Sequence, residues 1–469
     1  MIYARGAWSS RAPRSRRRSW LAICFVLLAL LPNLTGIQAT HHNPPTWLGS
    51  ELDTRLIHAG LVRAPHFQDT LRWWIGPWVA GNYVPFYRPL TSDVFWLEWK
   101  CFGDQEWLYI FPTIASHALA CVLLTWLVYR LAGIYGIARP GVAALTAAWL
   151  FTGLSGPMLN RTGVADMVMR LWKNQPDSLA AACCFAALLC YLKAQEGSRS
   201  SLYRAVFLYL AACSFKEIAI PLPVVCLCLE WQSARLRPSP GGRRRIFTLL
   251  SAALIFLVMR RLALAGAIGY TYGQNGAWVL RTVLELLGPF YPLALGEWLG
   301  NAIALWIGWM VWLVARLKRV RGPEAEAVEQ AGSLWRRWLP IPAGLVTLIG
   351  IGIMGTASMR PEERGSWQEW LHPTGIVSGW MMAFQPVILA TVVTSLLLMA
   401  AIALLLPKFR AALFLGFCWG AAFLAPLVLS GGPVHRYYLP QVGFILIYAF
   451  GAAVGWEKLS EPRFSRLDD

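Results

Sequence analysis

Arg16-Arg17-Arg18-Ser19-Trp20-Leu21-Ala22-Ile23-Cys24-Phe25-Val26-Leu27-Leu28-Ala29-Leu30-Leu31 opens the first apolar stretch of this chain, which runs to Ile37 behind a leader that also carries Arg11 and Arg14. A helix needs roughly 20 mostly apolar residues to span the hydrocarbon of a bilayer. The stretch is long for the apolar part of a secretory signal, and no small-residue cleavage site follows it. It reads as an uncleaved first transmembrane helix anchored by its arginines. Outward from it the same pattern recurs, with apolar stretches at 108–131, 139–155, 177–194, 202–215, 218–232, 246–265, 298–316, 339–356, 386–406, 411–430 and 438–456. The expected fold is an all-α polytopic membrane protein of about 12 transmembrane helices. Its parts are a basic leader at 1–19, a membrane domain at 20–456 and a tail at 457–469.

Composition agrees. The chain has 469 residues, of which 57% are hydrophobic and 14% charged, with a mean hydropathy of +0.48. A soluble domain carries about 25% charge. The 25 tryptophans suit a protein with two membrane interfaces to anchor. The formal charge of +18 belongs to short basic loops, so no nucleic-acid partner is expected. Nine of the ten cysteines fall in apolar stretches, and Cys101 is alone in a polar loop. The close pair Cys226 and Cys228 lies inside a span, so neither a disulfide framework nor a zinc site is expected.

Twelve spans put both ends on one side. About 27 of the 42 basic residues then fall in roughly 90 positions of tails and alternate loops, against about 15 in roughly 160 positions opposite. That asymmetry makes both termini cytoplasmic. The stretch Val279–Trp298 is broken by Gly288, Pro289 and Pro292, and reads as an interfacial or re-entrant segment. The largest loop, about 38–107, lies on the opposite face with those near 156–176, 266–297 and 357–385. Chemistry is therefore expected outside the cytoplasm. In a bacterium this is the periplasmic or extracellular face of the inner membrane.

The first outer loop holds Glu51-Leu52-Asp53, the place to look for a catalytic carboxylate, since transfer to a hydroxyl needs a base for its proton. Solvated loop acids are the plainer alternative. Further on, Asn82-Tyr83-Val84-Pro85-Phe86-Tyr87-Arg88-Pro89-Leu90 carries prolines that oppose a regular helix. Tyr87 and Arg88 there suit a phosphate or sugar, or else form an interfacial anchor. His117 lies inside a span, Lys216-Glu217 in a tight outer turn and His435-Arg436-Tyr437-Tyr438 before the last span. Ionisable groups in a bilayer are costly and usually face an interior cavity. The bland alternatives are a packed histidine and a local Lys216–Glu217 pair. Asp177 reads as a helix-start charge. A divalent metal shared by His41, His42 and Asp53 stands as a weaker alternative to a metal-free site. There is no P-loop and no dinucleotide fingerprint, so a lipid-borne donor suits the chain better than a nucleotide sugar.

Five ordered segments carry a resemblance. Tyr87-Arg88-Pro89-Leu90-Thr91-Ser92 is followed by Phe95-Trp96-Leu97-Glu98-Trp99, and then by Ser116-His117-Ala118-Leu119. Ser214-Phe215-Lys216-Glu217-Ile218-Ala219 precedes Pro221 and Glu230-Trp231. Arg260-Arg261-Leu262 to Gly269-Tyr270, with Pro289 to Leu295, comes later, and Arg436-Tyr437-Tyr438-Leu439-Pro440-Gln441-Val442-Gly443-Phe444 closes the series. Together they resemble the GT-C glycosyltransferases related to protein O-mannosyltransferases. The similarity is closest to the membrane part of the transmembrane-and-TPR O-mannosyltransferases, without the TPR repeats. The resemblance spans about 50 to 456. It implies a GT-C helical bundle, a polyprenyl-phosphate sugar donor, and inverting transfer to a protein, lipid or glycan acceptor. It implies Asp53 as the base, with Glu51 second. Lys216, Arg436 and Arg88 would bind the donor phosphate, with Tyr87, His117 and His435 beside them. No organic cofactor is implied. Asp93 stands where that group usually has an apolar residue.

Two other readings compete. A carrier of lipid-linked saccharides would line a path through mid-membrane with charge. A non-catalytic relative would tolerate replacement of Glu51 and Asp53.

Overall fold

A computed structural model describes residues 52–81, 86–153, 174–236, 241–265, 407–430 and 438–460. Their regular structure is entirely helical, without a strand among the described residues. We number the α-helices as α1 Leu52–Val62, α2 Arg72–Ile75, α3 Pro89–Phe102, α4 Ile110–Ile134, α5 Pro140–Gly153, α6 Gln175–Gln195, α7 Arg199–Phe215, α8 Leu222–Leu236, α9 Gly242–Ala263, α10 Pro407–Ser430 and α11 Gln441–Ser460. Short 3-10 turns at Phe67–Leu71, Glu106–Tyr109 and Glu217–Ala219 join some of them.

Helices α4 to α11 stand over eight of the twelve expected spans. Among the described residues, three segments are long and apolar enough to cross a membrane, Trp107–Ile134, Gln175–Gln195 and Gly242–Ala263. The expected spans at 20–37, 298–316, 339–356 and 386–406, and the segment 279–298, lie outside the described residues.

Local chemistry sets the helix ends. Asp177 in the first turn of α6 and Lys193 in its last both complement the helix dipole. Gly197, with φ at +104°, turns the chain toward α7, whose Ser198 cap accepts a hydrogen bond from the Ser201 N–H. In the bundle, α6 packs on α4 and α7, α5 on α4 and α11, α10 on α8 and α11, and α9 on α7 and α8. Small residues bring α10 and α11 together. A Cβ on Gly443 would strike the carbonyl of Gly416 and lie 2.7 Å from the Gly420 nitrogen. Such close backbone approach is the usual way helices gain packing contacts in lipid.

The first loop departs from expectation. The prolines there were to oppose regular structure, yet Pro89 is the first residue of α3. At that position a helix N–H has no partner to lose, and proline already holds a helical φ. Helices α1, α2 and α3 build a cap with its own core of Ile57, Leu61, Trp73, Trp78, Phe95 and Tyr109. Trp96 Nε1 donates to the Ala64 carbonyl at 2.7 Å, and the His58 and Trp99 rings meet edge to face at 4.6 Å. The bundle's core is a separate cluster spanning α4 to α11.

Candidate functional site

The cap meets the bundle where α2 touches α9 and along one face of α3. Arg88, Thr91, Phe95 and Glu98 recur at helical spacing, and all four are buried. Three of them make long-range polar contacts. Arg88 Nε donates to Glu217 Oε2 at 2.7 Å, Thr91 Oγ1 to the Phe215 carbonyl at 2.6 Å, and Glu98 Oε1 accepts from Gln175 Nε2 at 2.7 Å. The Arg88 guanidinium also lies over the rings of Phe86 and Trp78, at 3.8 and 5.3 Å. Two aromatic faces and a carboxylate thus fix its plane.

Lys216 ends α7 in extended backbone, with φ −157° and ψ 133°. Neighbouring side chains on such backbone point opposite ways. Lys216 Nζ donates to Asp177 Oδ2 in the first turn of α6, while Glu217 turns to Arg88. The local Lys216–Glu217 pair is therefore replaced by two cross-chain pairs. Lys216 and Asp177 are both buried. Asp177 is at the start of its helix, as expected, but it also holds the lysine.

His117 sits one layer deeper. Its Nδ1 shares a hydrogen bond with the Tyr438 hydroxyl at 2.5 Å, and its ring stacks on Phe151 at 5.6 Å. Next to it the Ser116 and Ser178 hydroxyls lie 2.5 Å apart, and Ser178 Oγ donates to the Gln175 carbonyl at 2.8 Å. Tyr87 donates its hydroxyl to the Trp74 carbonyl at 3.0 Å and rests its ring on Phe256 at 5.6 Å.

Burial alone would raise the Glu217 carboxyl, but the charge and hydrogen bond of Arg88, with a backbone hydrogen bond at Glu217 and lastly the charge of Arg260, outweigh it and hold Glu217 below the usual range. Asp93, on another face of α3, goes the other way. Burial lifts its carboxyl above the usual range, although Trp74 and Thr70 donate to it. Two further acceptors, Asp177 Oδ1 and Gln175 Oε1, are buried without a hydrogen-bond partner among the described residues. Such atoms call for a donor.

The structure thus brings together Arg88, Lys216 and, through Ser116 and Ser178, His117, with Tyr87 alongside. Asp53 falls in the first turn of α1. That helix meets α3 near Trp96 and Trp99, and eight residues separate Arg88 from Trp96, about 12 Å of helix. Glu51, His435, Arg436, His41 and His42 lie outside the described residues. Among those described, no group of three His, Cys, Asp or Glu is placed to hold a metal ion.

Sequence reasoning missed Glu98, Thr91 and the partner roles of Asp177 and Glu217. The first two lie in segments that carry the resemblance, and the recurrence of polar residues on one face of α3 was a second signal. A second buried pair marks the opposite end of the bundle. Arg245 reaches both oxygens of Glu230, at 2.7 and 3.1 Å, and Tyr191 donates to the same carboxylate at 2.8 Å. Compared with family models, curated proteins and solved structures, the chain matches none of them.

Proposed function

We propose that this chain is a membrane glycosyltransferase of the GT-C kind, moving a sugar from a polyprenyl-phosphate donor to an acceptor hydroxyl. One observation carries the reading. Segments that resemble that group are far apart in sequence, yet they meet through their polar residues. Arg88 pairs with Glu217 across 129 positions, and His117 with Tyr438 across 321. The reading includes a bundle of about 12 spans with the Lys216 end outside the cytoplasm.

In the proposed reaction the acceptor oxygen attacks C1 of the donor sugar from the side opposite the phosphate. The new C–O bond forms as the C1–O bond to phosphate breaks, and the bonding pair leaves with polyprenyl phosphate. The acceptor's proton goes to a first-loop carboxylate, Asp53 or Glu51. A single displacement inverts C1. Negative charge grows on the leaving phosphate, where Arg88, Lys216 and Arg436 would stabilise it. Glu217 engages one of the five guanidinium donors of Arg88, so it orients the fork while other donors suit a phosphate. The unpartnered acceptors of Asp177 and Gln175 suit the hydroxyl donors of a sugar. The carrier reading has less support: the buried ion pairs Lys216–Asp177 and Arg245–Glu230 gather toward opposite ends of the bundle rather than lining a path through it.

The test is transfer from a defined polyprenyl-phosphate hexose by purified protein, wild type against Asp53→Asn, with donor binding measured in parallel. The expected result is a loss of about 10²–10⁴ in rate with binding retained. Equal rates would exclude Asp53 as the base. Donor binding by wild type with no release of polyprenyl phosphate, whatever the acceptor, would overturn the enzyme reading.

A further inference from the structure

Helix α9 buries a single stripe, Arg245, Leu249, Ala252 and Phe256. The next position on that stripe is Arg260, one turn further on and partly buried. Most of the remaining surface is apolar and open, with Phe247 72% and Leu262 75% exposed. The bundle-facing stripe therefore has an arginine at each end. Arg245 is bound to Glu230 at one end of the bundle. At the other, Phe256 rests on Tyr87, which directly precedes Arg88. A rise of about 6 Å beyond Phe256 brings Arg260 toward the level of Arg88 and Glu217. The charge of Arg260 acts on Glu217 together with that of Arg88. Two guanidinium groups thus bear on one carboxylate. Arg261 carries the same charge but is exposed, about 100° further round the helix.

We infer that Arg260 is a ligand of the donor phosphate, sharing with Arg88 an anion site that Glu217 orders. The inference rests on the polyprenyl-phosphate reading of the site and adds a residue to it. A guanidinium fork matches the spacing of phosphate oxygens. Transfer converts the donor's phosphodiester into a monoester of higher charge. A second guanidinium therefore contributes most to the leaving polyprenyl phosphate, where stabilisation accelerates bond breaking.

The test is binding of polyprenyl phosphate, with neutral polyprenol as the comparison, to the full-length protein in lipid nanodiscs. Wild type, Arg260→Gln and Arg261→Gln are compared. The expected result is at least about tenfold weaker phosphate binding for Arg260→Gln, the scale of one charge-assisted hydrogen bond, and a change under about twofold for Arg261→Gln. Polyprenol binding is expected to be equal in all three. Should Arg260→Gln not fold, Arg260→Lys keeps the charge without the fork and is expected to bind about threefold more weakly. Equal weakening by the Arg260 and Arg261 variants would reduce the effect to diffuse charge and overturn the assignment, as would wild-type affinity in Arg260→Gln. Wild type that fails to prefer the phosphate over the alcohol would instead sink the donor reading beneath it.

Discussion

Glu217→Gln removes the charge that holds Arg88 while keeping the side chain's shape. Breaking a buried ion pair by removing one partner costs about 3–5 kcal/mol. Arginine cannot shed its proton to escape the penalty. The side chains are 10% and 17% exposed, so some water reaches the pair and the lower end applies. The glutamine oxygen still accepts from Nε and returns about 1 kcal/mol. The expected net loss is about 2–3 kcal/mol. The assay is reversible denaturant unfolding in mixed micelles, followed by tryptophan fluorescence. The double variant Arg88→Met/Glu217→Leu replaces both charges with apolar groups and is expected to recover most of the loss. pH offers a second reading. The folded-state pKa of Glu217 is lowered, so its stabilisation is fully present above the ordinary carboxylate range and is lost as pH falls through the folded value. Glu217→Gln should lack that part of the acid limb. A stability within about 0.5 kcal/mol of wild type, or a double variant no better than the singles, would refute the reasoning.

Two other substitutions probe the packing around this cluster. Tyr438→Phe leaves His117 Nδ1 buried without its partner and is expected to cost about 1–3 kcal/mol in the same unfolding assay; an unchanged midpoint would mean the bond carries no net weight. Gly443→Val drives a side chain into the backbone of α10 and is expected to cost about 3 kcal/mol or more. Gly455→Ala on the same helix meets nothing within 4 Å and is expected to be neutral or stabilising by up to about 1 kcal/mol, so equal losses for the two would undo the close-approach argument.

The bundle helices were legible because each depends on local properties, an apolar stretch of sufficient length bounded by charge or glycine. Span ends shifted by a few residues where caps intervened. The expected start of 218 for α8 moved to Leu222, because Glu217–Ala219 forms a 3-10 turn and Pro221 precedes the helix. The cap was not legible. Its residues are mixed in polarity, and α3 begins at a proline whose meaning depends on whether a helix follows. The site divided in the same way. Lys216 and His117 stood out as costly residues near a membrane, and Arg88 as a phosphate or sugar contact in the first loop. Their partners did not, because Asp177, Glu217 and Tyr438 become partners only when distant helices pack. Asp177 and Glu217 each had a sufficient local explanation, and neither explanation pointed 39 or 129 residues along the chain.

The separate aromatic core of the cap has an energetic consequence. Ile57, Trp73 and Phe95 share no cluster with the side chains that hold α4 to α11 together. Free-energy changes at distant sites without shared partners add, whereas those within one network interact. A lesion deep in the cap and one deep in the bundle should therefore behave as independent accounts of damage. The exceptions sit on α3, whose polar face is a party wall, and where α2 and Tyr87 touch α9, so non-additivity between cap and bundle maps the few side chains through which each half senses the other.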